Sequence, residues 1–167
     1  MRTTELRTLC VCAAASVLLA FFSGVSCASG GGAEIWLDIS KGEHLLRVMS
    51  GCEVIETFGV AVGKNAGQKR RAGDMRTPEG EFTVVQIQGS SSWSHDFGDG
   101  KGPVSGAYGP WFIRLATGWQ GIGIHGTHDP ASIGTDATEG CVRLRNEDVE
   151  KLKANYAKIG MRIVIRP

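Results

Sequence analysis

The sequence has little net charge, few cysteines once its opening residues are set aside, and few stretches with a helical period. A formal charge of +1 over 167 residues argues against a nucleic-acid footprint, which would need a concentrated basic face. Lysine and arginine gather only in "GKNAGQKRRAGDMR", a small cluster, so no nucleic-acid partner is expected. A long unbroken apolar run is also missing. "LCVCAAASVLLAFFSGV" is interrupted by Ser16, Ser23 and Gly24, which suits a permanent membrane span poorly. Internal repeats and low-complexity tracts are absent.

What stands at the start is a leader pattern. "MRTTELR" carries two arginines, an apolar stretch follows, and "SCA" supplies small residues where a signal peptidase reads. The expected organisation is a signal peptide over residues 1–28, a short Gly-rich linker over 29–33, and one domain over 34–167. A lipoprotein alternative, with Cys27 acylated after "GVS", is favoured by Val25 and Ser26 and opposed by Gly24. Either way the chain is expected to be exported to the cell envelope. Cleavage after Ala28 leaves Cys52 and Cys141. An exported chain could pair them, but Cys52 reads as part of a hairpin turn and Cys141 sits among glycine and polar neighbours. Two free thiols are expected, with only Cys141 reactive.

Periods of two dominate the remainder. "EIWLDIS", "HLLRVM", "EFTVVQIQ", "WFIRLAT", "GIGIHGT" and "MRIVI" read as strands. "VIETFGVAVG" reads as a longer strand buried on both faces. Two segments without a period, "KNAGQKRRAGDMRTPEG" and "GSSSWSHDFGDGKGPVSGAYGP", read as long loops. Only "NEDVEKLKANY" reads as a helix, with Asn146 as N-cap, acidic residues in the first turn, and Val149, Leu152 and Tyr156 on one face. The expected fold is mainly β: a single sandwich- or barrel-like domain with one short capping helix and two long loops.

The chemistry concentrates in "GIGIHGTHDPASIGTDATEGCVRLRNED", residues 121–148. A cysteine is a strong nucleophile as thiolate, and at a pKa of about 8.5 little is ionised near neutrality. It needs a proton acceptor, and His125, at a strand end beside Gly126, is the candidate to hold the thiol ionised. The Gly126 carbonyl could orient the second ring nitrogen. Gly140 would let the amides of Gly140 and Cys141 converge as an oxyanion hole, where losing one donor costs on the order of 3 kcal/mol. Arg143 would attract a carboxylate or lower the thiol pKa. Trp93, Tyr108 and Trp111, with the loop "KNAGQKRRAGDMR", are candidate walls of a substrate cleft. His44 and His95 read as surface or loop residues. A rival metal site from His125, His128, Asp129 and Cys141 has suitable donors. However, "HGTHD" is extended or turning and does not set its histidines one helical turn apart. No metal and no cofactor are expected.

"IHGT" and "TEGCVRL", preceded by "GDMRTPEGEF", together resemble the L,D-transpeptidase catalytic domain (YkuD-like) family of bacterial cell-wall enzymes, from "IWLDIS" to "RIVIRP". The resemblance implies a β-rich domain whose cysteine attacks the bond between the third and fourth residues of a peptidoglycan stem peptide. The acyl group then passes to an amine on a neighbouring stem, to an envelope-protein lysine, or to water. It implies Cys141 as nucleophile, His125 as base and then acid, Gly126 as orienter, backbone at Gly140 as oxyanion hole, and Thr138, Arg143, Tyr108 and Trp111 near substrate. A monomer is expected. The family's usual Ser or Thr, His, Gly, Cys is here Thr138, Glu139, Gly140, Cys141. If the usual histidine acts through its backbone, Glu139 replaces it without harm. If its side chain acts, the carboxylate would raise the thiol pKa unless His128 or Arg143 pairs with it.

Overall fold

The computed structural model describes residues 33–167. The leader, most of the linker and Cys27 lie outside the described residues. Among the described residues no helix is long and apolar enough to cross a membrane.

Alternating apolar residues form the strands expected of them. β1 (Ile35–Ser40) and β2 (Leu45–Ser50) make an antiparallel hairpin. β3 (Glu53–Gly59) pairs with β2, and β4 (Val62–Gly63) continues from it. Beyond the first long loop come β5 (Gly80–Gly89), then the short pair β6 (Ser94–His95) and β7 (Val104–Ser105) within the second long loop. β8 (Trp111–Leu115), β9 (Gly123–His125), β10 (Asp136–Thr138) and β11 (Val142–Arg143) follow. Helix α1 (Asn146–Asn155) and β12 (Arg162–Arg166) complete the chain.

Eight strands build one sheet in the order β11-β9-β8-β5-β12-β1-β2-β3. The sheet curls until its ends meet. The chain leaving β3 exchanges two backbone hydrogen bonds between Ala61 and Arg143, 2.8 and 2.9 Å, at the opposite end. This contact closes the barrel-like shape and sets β4 beside β10 and β11. Leu37, Ile39, Leu46, Val48, Ile113, Ile124, Val142, Leu144, Ile163 and Ile165 fill the interior, and Val149 and Leu152 bring α1 onto it. Fully burying one such side chain contributes about 1.5–3 kcal/mol.

Three expectations need correction. The stretch "VIETFGVAVG" is not one strand buried on both faces. β3 is the sheet's terminal strand, and Val54 and Ile55 are 46% and 40% exposed there; within it only Phe58 reaches the core, and Val60, Ala61 and Val62 are buried past the break. Asn146 does not cap α1. Arg145 occupies the cap position without a side-chain bond, because the Asn146 amide is used elsewhere. Cys52 is disulfide-bonded while Cys141 is free, so two free thiols are not found and the bond is not between these two residues.

Candidate active site

β9 and β11 run parallel, with Val142 opposite Ile124 and Arg143 opposite His125. Parallel neighbours need a crossover connection. Here residues 126–141 supply it through a short 3-10 turn, Pro130–Ser132, and β10. The crossover returns Cys141 to the edge of the strand that carries His125. Both line a cleft of about 530 Å³, together with Tyr108, Thr138, Glu139 and Arg143.

The turn into the cysteine is tightly determined. Gly140 has φ +135°, and a Cβ there would come within 2.8 Å of the Arg76 carbonyl, so only glycine fits. The Thr138 hydroxyl donates to the Cys141 carbonyl at 2.6 Å and accepts the Gly140 N–H at 3.1 Å. Thr138 therefore lines the cleft with its hydroxyl committed to the turn. The expected hole of two converging amides is altered in consequence: the Gly140 amide is engaged by Thr138. The Cys141 N–H makes no hydrogen bond among the described residues, which leaves it to receive an oxyanion.

His125 is 4% exposed. Its Nδ1 lies 2.6 Å from the Gly126 carbonyl. A carbonyl only accepts, so Nδ1 carries the hydrogen and Nε2 of the neutral ring has a free lone pair. Phe112 stacks on the ring at 5.5 Å and Tyr108 meets it edge-on at 4.9 Å. Asn146 holds the backbone beneath by accepting the Thr127 N–H at 2.8 Å, and a side chain at Gly126 or Gly109 would collide with that same oxygen.

Burial sets the protonation states. It lowers His125 to about 3, against the raising effect of its hydrogen bond to the Gly126 carbonyl, and pushes the Cys141 thiol up to about 11, against a backbone hydrogen bond from Gly123 and the Arg143 and Arg114 charges. The thiol hydrogen bonds to the Gly121 carbonyl at 3.2 Å rather than to His125. Both shifts run toward the neutral forms, a thiol on Cys141 and an imidazole on His125, opposite in direction to a thiol held ionised.

Arg143 is 6% exposed and donates through Nη1 to the Ser132 hydroxyl at 3.0 Å. Its Nε is buried without a partner. No carboxylate forms an ion pair with it among the described residues, which suits it to an incoming anion.

Several expected neighbours lie elsewhere. Trp111 is not in the cleft: it packs against the core, with Lys153 of α1 4.4 Å from its ring centre. Trp93 stands behind Tyr108, 5.7 Å away. His128 is exposed beside Phe97. Neither His128 nor Arg143 pairs with Glu139.

The partner of Glu139 is His95, which the sequence pattern places at the surface or in a loop and which sits in the second long loop. Nε2 of His95 lies 3.0 Å from Glu139 Oε2, and Nδ1 lies 3.1 Å from the Tyr108 hydroxyl. The loop "KNAGQKRRAGDMR" does wall the cleft, through Lys69, Ala72, Gly73 and Met75, and Trp119, which no motif in the sequence singles out, lines it too. Lys69 is paired at 2.7 Å with Asp74, which also accepts the amides of Arg70, Arg71 and Arg76 at 2.7, 3.2 and 3.2 Å. Burial would raise the Asp74 pKa, but these donors hold it well below the carboxylate range. The first long loop is accordingly built around one carboxylate. Its far end is tied to β1 by Lys41, which reaches the Gly67 and Thr77 carbonyls and Glu79 at 2.7, 3.2 and 2.6 Å. Among the described residues no three histidine, cysteine or carboxylate side chains converge as metal ligands.

A closed β-barrel-like domain of this kind is a fold that known proteins share. Residues 34–165 match the L,D-transpeptidase catalytic domain (YkuD) model, and the chain belongs to that family. It is 33% identical over 127 residues to the Bacillus subtilis protein named "Putative L,D-transpeptidase YkuD", covering 76% of this chain and 63% of that protein. The Bacillus licheniformis protein of the same name is 32% identical over 129 residues, covering 77% and 64%. The chain thus spans just under two thirds of the length of these relatives. The fold matches L,D-transpeptidase 3 from Mycobacterium tuberculosis, solved in complex with a faropenem-derived adduct, at a TM-score of 0.59 and 19% identity, covering 81% of this chain and 61% of that one.

Proposed function

We propose that this chain is a cysteine acyltransferase of the cell envelope that cleaves the bond between the third and fourth residues of a peptidoglycan stem peptide and transfers the acyl group to an amine. One observation carries the reading: a free, partly exposed thiol at Cys141 shares a cleft with an imidazole whose Nδ1 hydrogen is fixed by the Gly126 carbonyl. That tautomer leaves Nε2 as the proton acceptor.

In the proposed sequence, the scissile carbonyl enters against the Cys141 amide, and Arg143 attracts a carboxylate of the stem. Sulfur attacks as its proton moves to His125. A concerted transfer fits groups that rest neutral, because a free thiolate–imidazolium pair is costly in this burial. The tetrahedral oxyanion is received by backbone N–H. Its collapse expels the fourth residue, whose amine takes the proton from His125. The thioester is then attacked by the acceptor amine, with neutral His125 taking a proton from the nitrogen and returning it to the leaving sulfur. The acceptor is a neighbouring stem or an envelope-protein lysine.

The test is incubation with stem tetrapeptides followed by mass analysis, alongside intact mass after exposure to a carbapenem. Dimers together with released D-alanine, and a covalent adduct at Cys141 that Cys141→Ala lacks, are the expected results. D-alanine without dimers would reassign the second step to water, and a wild-type protein that gains no adduct and releases nothing would overturn the reading.

A further inference from the structure

Glu139 directly precedes the Gly140–Cys141 turn, and among the described residues it is the only carboxylate that lines the cleft. The cleft's two cationic side chains are otherwise occupied or set apart: Lys69 is paired with Asp74, and Arg143 donates to Ser132. Glu139 therefore provides a negative spot next to the sulfur, and its charge raises the proton affinity of both Cys141 and Tyr108.

The hydrogen-bond chain around it has a definite direction. A carboxylate only accepts, so His95 Nε2 carries the hydrogen shared with Oε2. In the neutral ring Nδ1 is then an acceptor, and the Tyr108 hydroxyl donates to it. The second carboxylate oxygen, Oε1, has no hydrogen-bond partner among the described residues. Glu139 is thus oriented through one oxygen while the other is available.

The chemistry of acyl transfer needs such a group. An ammonium must lose two protons to become an amide nitrogen. The second leaves as C–N forms and C–S breaks, and it passes through His125 to sulfur. The first must leave earlier, because an ammonium has no lone pair, and one buried imidazole cannot hold both.

We propose, resting on the acyltransfer reading above, that Glu139 and His95 form the acceptor site: Oε1 of Glu139 binds the acceptor's ammonium, and the pair takes its first proton. The free amine so produced attacks the thioester at Cys141, and the proton held by the pair is released to solvent after product leaves. The ligand class is a primary ammonium, and Glu139 discriminates against acceptors that present a carboxylate at this spot.

Two acceptors separate this role from a structural one. Alaninamide is an ammonium near neutral pH, whereas hydroxylamine is largely neutral there and needs no first deprotonation. With a stem-tetrapeptide donor, products are quantified by mass for wild type, Glu139→Gln and His95→Gln. The expected result is a transfer ratio, alaninamide over hydroxylamine, lower by at least about tenfold in Glu139→Gln, the low side of acid–base effects. His95→Gln should lower it less, and the deficit of Glu139→Gln should shrink as pH rises and the amine deprotonates unaided. An unchanged ratio, or equal loss with both acceptors, would overturn the acceptor site while leaving the donor reaction in place. A wild type that releases no D-alanine from the donor would overturn the acyltransfer reading and this inference with it. Melting temperatures identify a misfolded variant, and the folded one of the two then carries the comparison.

Discussion

The side-chain oxygen of Asn146, at the first turn of the helix, accepts the backbone N–H of Thr127 at 2.8 Å. A residue that resembles a helix cap thereby holds the strand end that carries His125. The oxygen also lies against Gly109 and Gly126, so it joins three segments that are remote in the chain.

Asn146→Ala should lower stability by about 1–3 kcal/mol, the cost of leaving a buried N–H unpaired. It should also slow acylation of Cys141, because the Gly126 carbonyl that orients the ring loses its support. Thermal unfolding and the rate of carbapenem adduct formation check both. A variant with normal acylation would separate Asn146 from the site.

Thr138→Val keeps the shape but removes the hydroxyl that ties the Gly140 N–H to the Cys141 carbonyl. A loss of about 1–3 kcal/mol is expected, with adduct formation reduced. Thr138→Ser, which restores both bonds, should recover most of each. Equal behaviour of the two variants would mean that the hydroxyl does not hold the turn.

Gly140→Ala places a Cβ against the Arg76 carbonyl in a backbone region that side chains rarely adopt. Strain of about 1–3 kcal/mol is expected, and relief by moving the turn displaces the sulfur. Adduct formation should therefore fall further than stability does. The comparison is adduct rate against melting temperature in the same preparation.

The His125 shift has a signed consequence. Its folded pKa is lowered from 6.5 to about 3, so below pH 6.5 the unfolded chain takes up a proton that the folded chain refuses. This contribution to stability is complete above pH 6.5 and is lost as pH falls from there toward 3. Denaturant unfolding across that range should show a steeper decline in wild type than in His125→Gln. The acid limb of adduct formation should likewise lie well below 6.5, measured in a His95→Gln background that removes the other imidazole of the cleft. A limb near 6.5 in that background would show the His125 ring to be solvated.

Local pattern made much of the molecule legible. Alternation along "IWLDIS" and "RIVI" marks β1 and β12, and the spacing of Val149 and Leu152 marks the buried face of α1. Position within the sheet was not legible in the same way. Val54 and Ile55 look like core residues, and only the strand order puts them on the outermost strand, where one face meets solvent. Trp111 has the aromatic character of a cleft wall, yet its place on β8 turns it toward α1 and the core.

The sequence by itself determined most of the longer strands, the one helix, and the order of reactive types from His125 to Arg143, because periodicity and turn chemistry act over a few residues. The tertiary structure alone decided that the glutamate beside the cysteine is met by a histidine 44 positions earlier, that Gly140 spends its amide on Thr138, and that burial shifts thiol and imidazole toward their neutral forms. Proton affinity and hydrogen-bond partnership depend on what closure of the sheet brings around a group, and that surrounding is drawn from distant parts of the chain.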